Sequence, residues 1–284
     1  MYLSHFEFPD IEQEYTVRFS IKRTCYDSFY PFGILSRHHF TQIDFEPVTI
    51  LYGGNGCGKS TALNVIAQKL GLKRGALYNR SDFFEDYVDM CTVQADDPLP
   101  KDSRMITSDD VFDFMLDLRS VNQGIDQRRE TLFDEYMDAK CSRFQMKSME
   151  DYEALKKSNL AKRTTQSKFV RKNLKNNIRE HSNGESAFLY FSEIIRENAL
   201  YLLDEPENSL CAQKQQELAV FLEDSARFFR CQLVIATHSP FLLAIRGAKI
   251  YDMDEDPVDV KKWTRLENVK AYYEFFKKHK EEFS

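Results

Sequence analysis

The chain has 284 residues, 42% of them apolar and 30% charged, with 10 Gly, 8 Pro and a formal charge of −6 at pH 7. That is enough apolar chain to bury a full core, and the balance excludes extended disorder, a collagen-like repeat and a low-complexity tract. No apolar run reaches the roughly 18–20 residues that span a bilayer, the opening MYLSHFEFPD lacks the signature of a secretion signal, and the six cysteines form no C-x-x-C pair. A cytoplasmic protein without membrane insertion is expected.

In chain order, Tyr2–Phe8 reads as a strand, and so does Tyr15–Ile21 through the alternation of Val17, Phe19 and Ile21. Tyr30-Pro31-Phe32-Gly33 is turn-like. Phe45–Tyr52 is a short β-branched apolar run of the kind that forms a buried central strand. It leads into Gly53-Gly54-Asn55-Gly56-Cys57-Gly58-Lys59-Ser60-Thr61, then a helix with Leu63, Ile66, Ala67 and Leu70 on one face and Gly71 as its stop. Cys91–Gln94 suggests a short strand. Ser108-Asp109-Asp110 suggests an N-cap for a helix through Leu118, its stripe being Val111, Phe114, Met115 and Leu118. A polar, Gly-poor helical stretch follows. After Gly184 strand and helix alternate: a helix over Ala187–Glu197, a strand over Ala199–Leu203, a helix over Gln213–Phe229 and a strand over Gln232–Thr237. The pattern predicts an α/β fold, a mostly parallel sheet flanked by helices, with N-terminal antiparallel strands and an inserted helical lobe. The expected divisions are residues 1–75, 76–181 and 182–284.

Charge is uneven. Leu155–Arg179 holds nine bases (Lys156, Lys157, Lys162, Arg163, Lys168, Arg171, Lys172, Lys175 and Arg179) and no acid, on a body that is otherwise acidic. Phe169 is the one aromatic among them. Such a run suits either a solvated helix face or contact with phosphate backbone, electrostatic rather than stacking.

The stretch Gly53–Ser60 satisfies G-x-x-x-x-G-K-[ST] between a predicted buried strand and an amphipathic helix, the context a phosphate-binding loop requires. Its glycines let successive N–H groups turn toward phosphate oxygens at a helix N-terminus. Lys59 supplies a point charge to the β- and γ-phosphates, and the Ser60 hydroxyl is a ligand for Mg²⁺. Leu200-Tyr201-Leu202-Leu203-Asp204-Glu205 is an apolar strand that ends in two acids, which the sheet would present at its ligand edge. Asp204 is the candidate to hold magnesium, and Glu205 the candidate general base for the attacking water.

Two further pieces fix the order of motifs. Ser182-Asn183-Gly184-Glu185-Ser186 precedes an apolar helix, and His238 follows the strand Leu233–Thr237. Phosphate loop, S-x-G-E, apolar strand with Asp-Glu-Pro, and Ala-Thr-His-Ser in that order resemble the ATP-binding-cassette (ABC) ATPases, closest to the branch with SMC, RecF and OLD-type proteins. YPF, EPVTILYGGNGCGKST, SNGES, YLLDEPENSL, IATHSPFLL and GAKIYDMDEDPVDVKKW resemble a bacterial family of small stand-alone AAA-type ATPases within it. The likeness covers about residues 1–75 and 180–284.

The resemblance implies ATP with Mg²⁺ bound by Gly53–Thr61 of one copy and capped by Ser182 and Gly184 of a second, an ATP-dependent homodimer. It implies His238 on the γ-phosphate or the attacking water, and Asn208-Ser209-Leu210 in the loop that signals across the dimer. Asn183 and Glu185 depart from the L-S-G-G-Q of a transporter cassette. Gln94 and Asp109 both remain candidates for the lid residue that contacts magnesium. Tyr30 and Phe32 are candidates to stack on adenine, and Cys57 raises the question of thiol oxidation. The expected function is ATP hydrolysis driving a switch on nucleic acid or a partner protein. The alternative is the nucleotide-binding subunit of a membrane transporter.

Overall fold

The computed structural model describes residues 1–21, 25–26, 28–141, 152–174 and 183–283. Contacts divide the chain into two compact units, Met1–Phe112 with Asn183–Ser284, and Asp113–Ser182. In order, the elements are β1 (Leu3–Glu7), α1 (Ile11–Ser20), β2 (Gln42–Asp44), β3 (Val48–Tyr52), α2 (Lys59–Lys69), α3 (Phe84–Met90), β4 (Thr92–Ala95) and β5 (Arg104–Thr107). Next come α4 (Ser108–Cys141), α5 (Tyr152–Arg163) and α6 (Gln166–Asn173). The chain ends with α7 (Asn183–Ile194), β6 (Leu200–Asp204), α8 (Ala212–Phe228), β7 (Gln232–Ala236), α9 (Pro240–Leu243), β8 (Lys249–Asp252), β9 (Asp259–Val260) and α10 (Glu267–Lys278).

In the first unit a six-stranded sheet runs β5-β6-β7-β3-β8-β9, parallel except for the antiparallel edge strand β9. Ile50 on β3 sits opposite Ile235 on β7 and Ile250 on β8, and Asp204 sits opposite Ala236 and Thr107. Every residue of β3 and β7 is buried, as is β6 up to Leu203, which is why these segments read as continuous apolar runs rather than alternating ones. A separate antiparallel sheet has the order β2-β1-β4. Buried Gln232 fastens it to β7: its Oε1 accepts from the N–H groups of Tyr2 and Leu3, both at 2.9 Å, and its Nε2 donates to Leu3 O at 2.6 Å. Helix α2 buries residues all round, from Thr61 to Ala67, because the core cluster surrounds it with Phe6 and Ile43 of one sheet and Leu200, Leu202 and Val234 of the other.

Several expectations change. Tyr15–Ile21 is not a strand: Tyr15–Ser20 belongs to α1 and Ile21 is its C-cap. Asp10 accepts from Gln13 N–H while Gln13 Oε1 accepts from Asp10 N–H, a capping box that starts the helix whatever the later alternation. Its buried residue is Glu14, and Phe19 is 80% exposed. Residues 76–112 group with the first unit, since β4 pairs with β1 and β5 with β6. The helix expected to end at Leu118 continues to Cys141, and Thr107 rather than Ser108 caps it: Thr107 Oγ1 accepts from Asp110 N–H at 3.4 Å.

The second unit is helical. Leu132 and Tyr136 of α4 pack with Ala161 of α5 and Phe169 and Val170 of α6. Tyr136 Oη donates to Thr164 O at 3.1 Å, and Ser158 Oγ donates to Ala139 O at 2.9 Å. Phe169, singled out above among the basic residues, is therefore core, 1% exposed. Lys156, Arg163, Lys168, Arg171 and Lys172 are exposed. The rest of the basic run from residue 175 on lies outside the described residues.

Candidate functional site

Parallel strands leave their C-terminal ends at one edge, and here that edge carries the loop after β3, the acids that end β6, the histidine after β7 and the junction after β5. The loop Gly53–Gly58 turns through left-handed backbone at Gly53 (φ 155°), Gly56 (φ 86°) and Gly58 (φ 102°). Gly58 is favoured by its φ of 102°, which side chains rarely adopt, and a Cβ there would also press on Leu35 Cδ2 at 2.9 Å and Ile34 Cγ2 at 3.0 Å. Gly54, Asn55 and Gly56 form the exposed rim, whereas Cys57, Gly58 and Lys59 are buried. Burial pushes the Cys57 thiol above its ordinary range, with Lys59 pulling the other way, so this sulfur is kept a thiol rather than a reactive thiolate.

Lys59 is 4% exposed and its Nζ donates to Gly53 O at 2.8 Å and Gly54 O at 3.0 Å. Ser60 Oγ donates to Asp204 Oδ1 at 3.0 Å, which brings the loop to the end of β6. Desolvation raises Asp204 to about 6, outweighing the Ser60 hydrogen bond that favours the charge, and the neighbouring Glu205 raises it further. Glu205 holds a positive φ of 47°, its N–H donating to Ala236 O at 2.9 Å. Its Oε2 accepts from Asn208 Nδ2 at 3.0 Å, and its Oε1 lies 3.3 Å from His238 Nε2. That nitrogen is buried and makes no hydrogen bond, since the short distance lacks the alignment of one.

Asp109 faces the same edge. With Ser60, Asn64, Thr107 and Asp204 it lines a cleft of about 320 Å³. Asp110 fixes that junction by accepting from Thr107 N–H, Thr107 Oγ1 and Ala76 N–H, each at 2.8 Å. Gln94, the other candidate for the lid position, is on β4 opposite His5 in the antiparallel sheet and does not line the cleft. Phe32 is in the core, edge-on to Tyr87 at 5.2 Å, and so offers no free face to a base. Tyr30 stacks on Phe84 at 5.9 Å and donates from Oη to Thr61 Oγ1 at 3.2 Å.

Gly184 lies in the first turn of α7. A Cβ there would meet Ser209 O at 3.6 Å, ordinary contact, so packing among the described residues does not require glycine at that position. Gly184 and Ser209 are thus neighbours. Ser182 lies outside the described residues.

One residue of the site was not picked out from the sequence. Asp254, in the turn after β8, accepts from Gly54 N–H through Oδ1 at 2.7 Å and Oδ2 at 2.8 Å. Buried Asp252, held by Lys261 at 2.9 Å, accepts from Asp254 N–H at 3.2 Å and shapes that turn. No local motif marks Asp254; it reaches the loop because β8 lies beside β3 and Met253 N–H continues the ladder to Tyr52 O at 2.8 Å.

The family model for ABC transporters matches residues 40–208, more than half of the chain. The chain belongs to the ABC transporter family. It is an ABC-type, ATP-hydrolysing P-loop ATPase. Solved structures similar to this ABC ATPase include one described as an inward-facing metal-chelate type ABC transporter, at 18% identity over 96% of this chain and 90% of that one, TM-score 0.41. An Smc head domain bound to the C-terminal domain of ScpA, from Pyrococcus furiosus, is 13% identical over 82% and 94% of the two chains, TM-score 0.40. A dimeric ATP-binding cassette with ADP and Pi is 16% identical over 79% and 90%, TM-score 0.36. Among curated proteins, none matches the chain. No helix among the described residues of the ABC ATPase is long and apolar enough to cross a membrane. Among those residues no cluster of three or more His, Cys, Asp or Glu could hold a metal ion unaided.

Proposed function

We propose that this ABC ATPase works as an ATP-driven switch of the SMC/RecF/OLD kind, its two copies joined by ATP and released by hydrolysis. The observation that carries the hydrolytic part of this reading is the meeting of Glu205 and His238, 3.3 Å apart beside the phosphate loop, with the histidine Nε2 buried and unbonded. A buried nitrogen left without a partner costs about 1–3 kcal/mol, a cost that a γ-phosphate oxygen or a water held against it removes. In this reading Lys59 gives up its two carbonyls for the β- and γ-phosphates, while the exposed loop at Asn55–Gly56 and the start of α2 cradle the chain of phosphates, Gly54 N–H staying on Asp254. Glu205, steadied by Asn208, takes the proton of the attacking water, and His238 orients that water or the phosphate it attacks.

The donor set fits Mg²⁺. Ser60 Oγ and the Asp204 carboxylate stand 3.0 Å apart, and a desolvated carboxylate whose proton affinity is raised gains from a cation. Two protein oxygens with the remainder from phosphates and water is the usual economy of a magnesium site, and Ser60 and Asp204 would hold it. Bound there, the ion would neutralise charge on the β- and γ-oxygens.

Ser182 and Gly184 of a second copy would close the site. Among the described residues the space at Gly184 would admit a Cβ, with Ser209 O at 3.6 Å, which is compatible with a backbone kept bare for a ligand from outside the chain. Glu205→Gln tests the proposal: with ATP the variant should run as a stable dimer in size-exclusion chromatography and hydrolyse nothing. A variant that stays monomeric at saturating ATP removes the shared site.

Nucleic acid is the partner chemistry we favour, because α5 and α6 turn Phe169 and Val170 inward while Lys156, Arg163, Lys168, Arg171 and Lys172 stay in solvent. A protein partner is the other outcome. Co-purification with a membrane protein of several spans would favour the transporter subunit instead.

A further inference from the structure

The loop after β6 carries a carboxylate that the hydrolysis scheme leaves unused. Glu207 Oε1 accepts from Thr237 Oγ1 at 2.7 Å, from His238 N–H at 2.7 Å and from Ser239 N–H at 3.1 Å. Three donors from three successive residues, with His238 at their centre, converge on one oxygen. The flanks are fixed independently. Fully buried Thr237 donates from its N–H to Leu51 O on β3 at 3.2 Å. Ser239 Oγ caps α9 and donates to Gln215 Oε1 on α8 at 2.7 Å.

Rigid flanks do not by themselves set the peptide that bears the imidazole. His238 N–H has Glu207 as its acceptor, and rotation of that peptide would swing the ring away from Glu205. Next in sequence, Asn208 holds the opposite member of the pair through Glu205 Oε2. Residues 207 and 208 therefore grip one partner each. The position also explains why an acid stands where the strand has already left the core: an apolar residue there would strand Thr237 Oγ1 and His238 N–H, each buried orphan costing about 1–3 kcal/mol, while Ser239 N–H would keep Thr237 Oγ1 at 3.0 Å.

We propose that Glu207 is a positioning residue for ATP hydrolysis, holding the main chain of His238 so that its imidazole meets Glu205 and the γ-phosphate. This rests on Glu205 and His238 acting in hydrolysis as set out above. Glu207 makes no hydrogen bond to the phosphate loop or to Asp204, although its charge adds to the rise at Asp204, so its three hydrogen bonds act on turnover more than on nucleotide binding.

The experiment is steady-state ATPase kinetics on the full chain for Glu207→Ala, Glu207→Gln, His238→Ala and the double variant Glu207→Ala/His238→Ala. Glu207→Ala should lower kcat by about 10²-fold, the usual consequence of misplacing a reacting group by an ångström, with KM for ATP within about 3-fold of wild type. Glu207→Gln keeps an oxygen for the three donors and should restore kcat to within about 5-fold. The double variant should turn over as fast as His238→Ala alone, because the two substitutions remove one function. Should Glu207→Ala fail to bind ATP through misfolding, Thr237→Val removes one donor to Glu207 and one acceptor of Ser239 N–H but leaves the Glu207 bond to His238 N–H, and should lower kcat by about 5-fold at unchanged KM. Wild-type kcat in Glu207→Ala or in Thr237→Val, or losses that multiply in the double variant, overturn the inference. If Glu205→Gln and His238→Ala themselves hydrolyse ATP at the wild-type rate, the hydrolysis scheme fails and takes this inference with it. If they are impaired while Glu207→Ala is not, the inference alone falls.

Discussion

Asp254 offers the sharpest quantitative test of how the phosphate loop is held. The Gly53–Gly54 peptide is a single plane whose carbonyl and N–H point in opposite directions. Its N–H meets Asp254 at 2.7 and 2.8 Å, so its carbonyl faces the other way, onto Lys59 Nζ at 2.8 Å. Asp254 thus sets the peptide on which the loop lysine is parked. A hydrogen bond to a charged group contributes about 1.5–3 kcal/mol when sheltered, but Asp254 is exposed and about 1 kcal/mol is the fair figure. Without it the free loop is no longer held in this orientation and must regain it to bind, and that loss of preorganisation corresponds to about a five-fold rise in Kd. An opposing effect comes from the charge. Two unit charges about 8 Å apart in water repel by about 0.5 kcal/mol, so a carboxylate at that range from Mg-bound ATP, with its two net negative charges, is repelled by about 1 kcal/mol, and salt screens this.

The two effects separate by substitution and by salt. Asp254→Ala removes both; its Kd for a non-hydrolysable ATP analogue with Mg²⁺, by calorimetry, should be close to wild type at low salt, where the two effects nearly cancel, and about 5-fold weaker at 0.5 M, where the relief of repulsion is screened away. Asp254→Asn keeps an acceptor for Gly54 N–H without the charge and should bind at least as tightly as wild type at low salt. Equal weakening in both variants, or a wild-type Kd for Asp254→Ala at high salt, refutes the reasoning.

Glu14 gives a prediction in pH. Its carboxyl is 4% exposed, accepts from Gly33 N–H at 2.7 Å through Oε2 and leaves Oε1 unpaired; burial raises it above the ordinary range against the pull of that hydrogen bond. The folded chain then keeps a proton the unfolded chain releases, so stability falls as pH rises from the ordinary glutamate value and the loss is complete above the raised one. Glu14→Gln should be more stable than wild type by about 1 kcal/mol at pH 8, or about 2–4 °C in Tm, with the gain gone near pH 4; an equal change at both pH values contradicts it. For the second unit, affinity for a DNA or RNA duplex should fall steeply with salt and be lost in Lys168→Glu/Arg171→Glu/Lys172→Glu, while no affinity, or affinity indifferent to salt, removes nucleic acid as the partner.

What the sequence disclosed of the fold follows from how each element is stabilised. Strands β3, β6 and β7 were readable because both faces are covered, which forces unbroken apolar runs such as Val48–Tyr52 and Leu200–Leu203. Strand β5 went unread: it has four residues, of which only Met105 and Ile106 are apolar, and its place beside β6 is a tertiary fact. Helix α1 was misread because the spacing of Val17, Phe19 and Ile21 imitates a strand, although its two outward aromatics, Tyr15 and Phe19, stack on each other four residues apart, as only a helix allows.

The site divides along the same line. Gly53–Thr61 is legible because its demands are local: positive φ at three glycines, a lysine at the helix start, a hydroxyl next to it. Glu207 and Asp254 answer demands set by neighbours in the sheet. One is fixed by donors some 30 residues further along, the other by an amide 200 residues before it. Neither demand has a spacing that a motif could encode, because loop lengths between parallel strands vary while the strand order does not. The same reasoning separates Asp109 from Gln94. Both stand at strand ends in the sequence, but only the strand next to β6 delivers its last residues to the edge where Ser60 and Asp204 meet. Strand order, more than residue type, decides which acids of this chain stand at the phosphate loop.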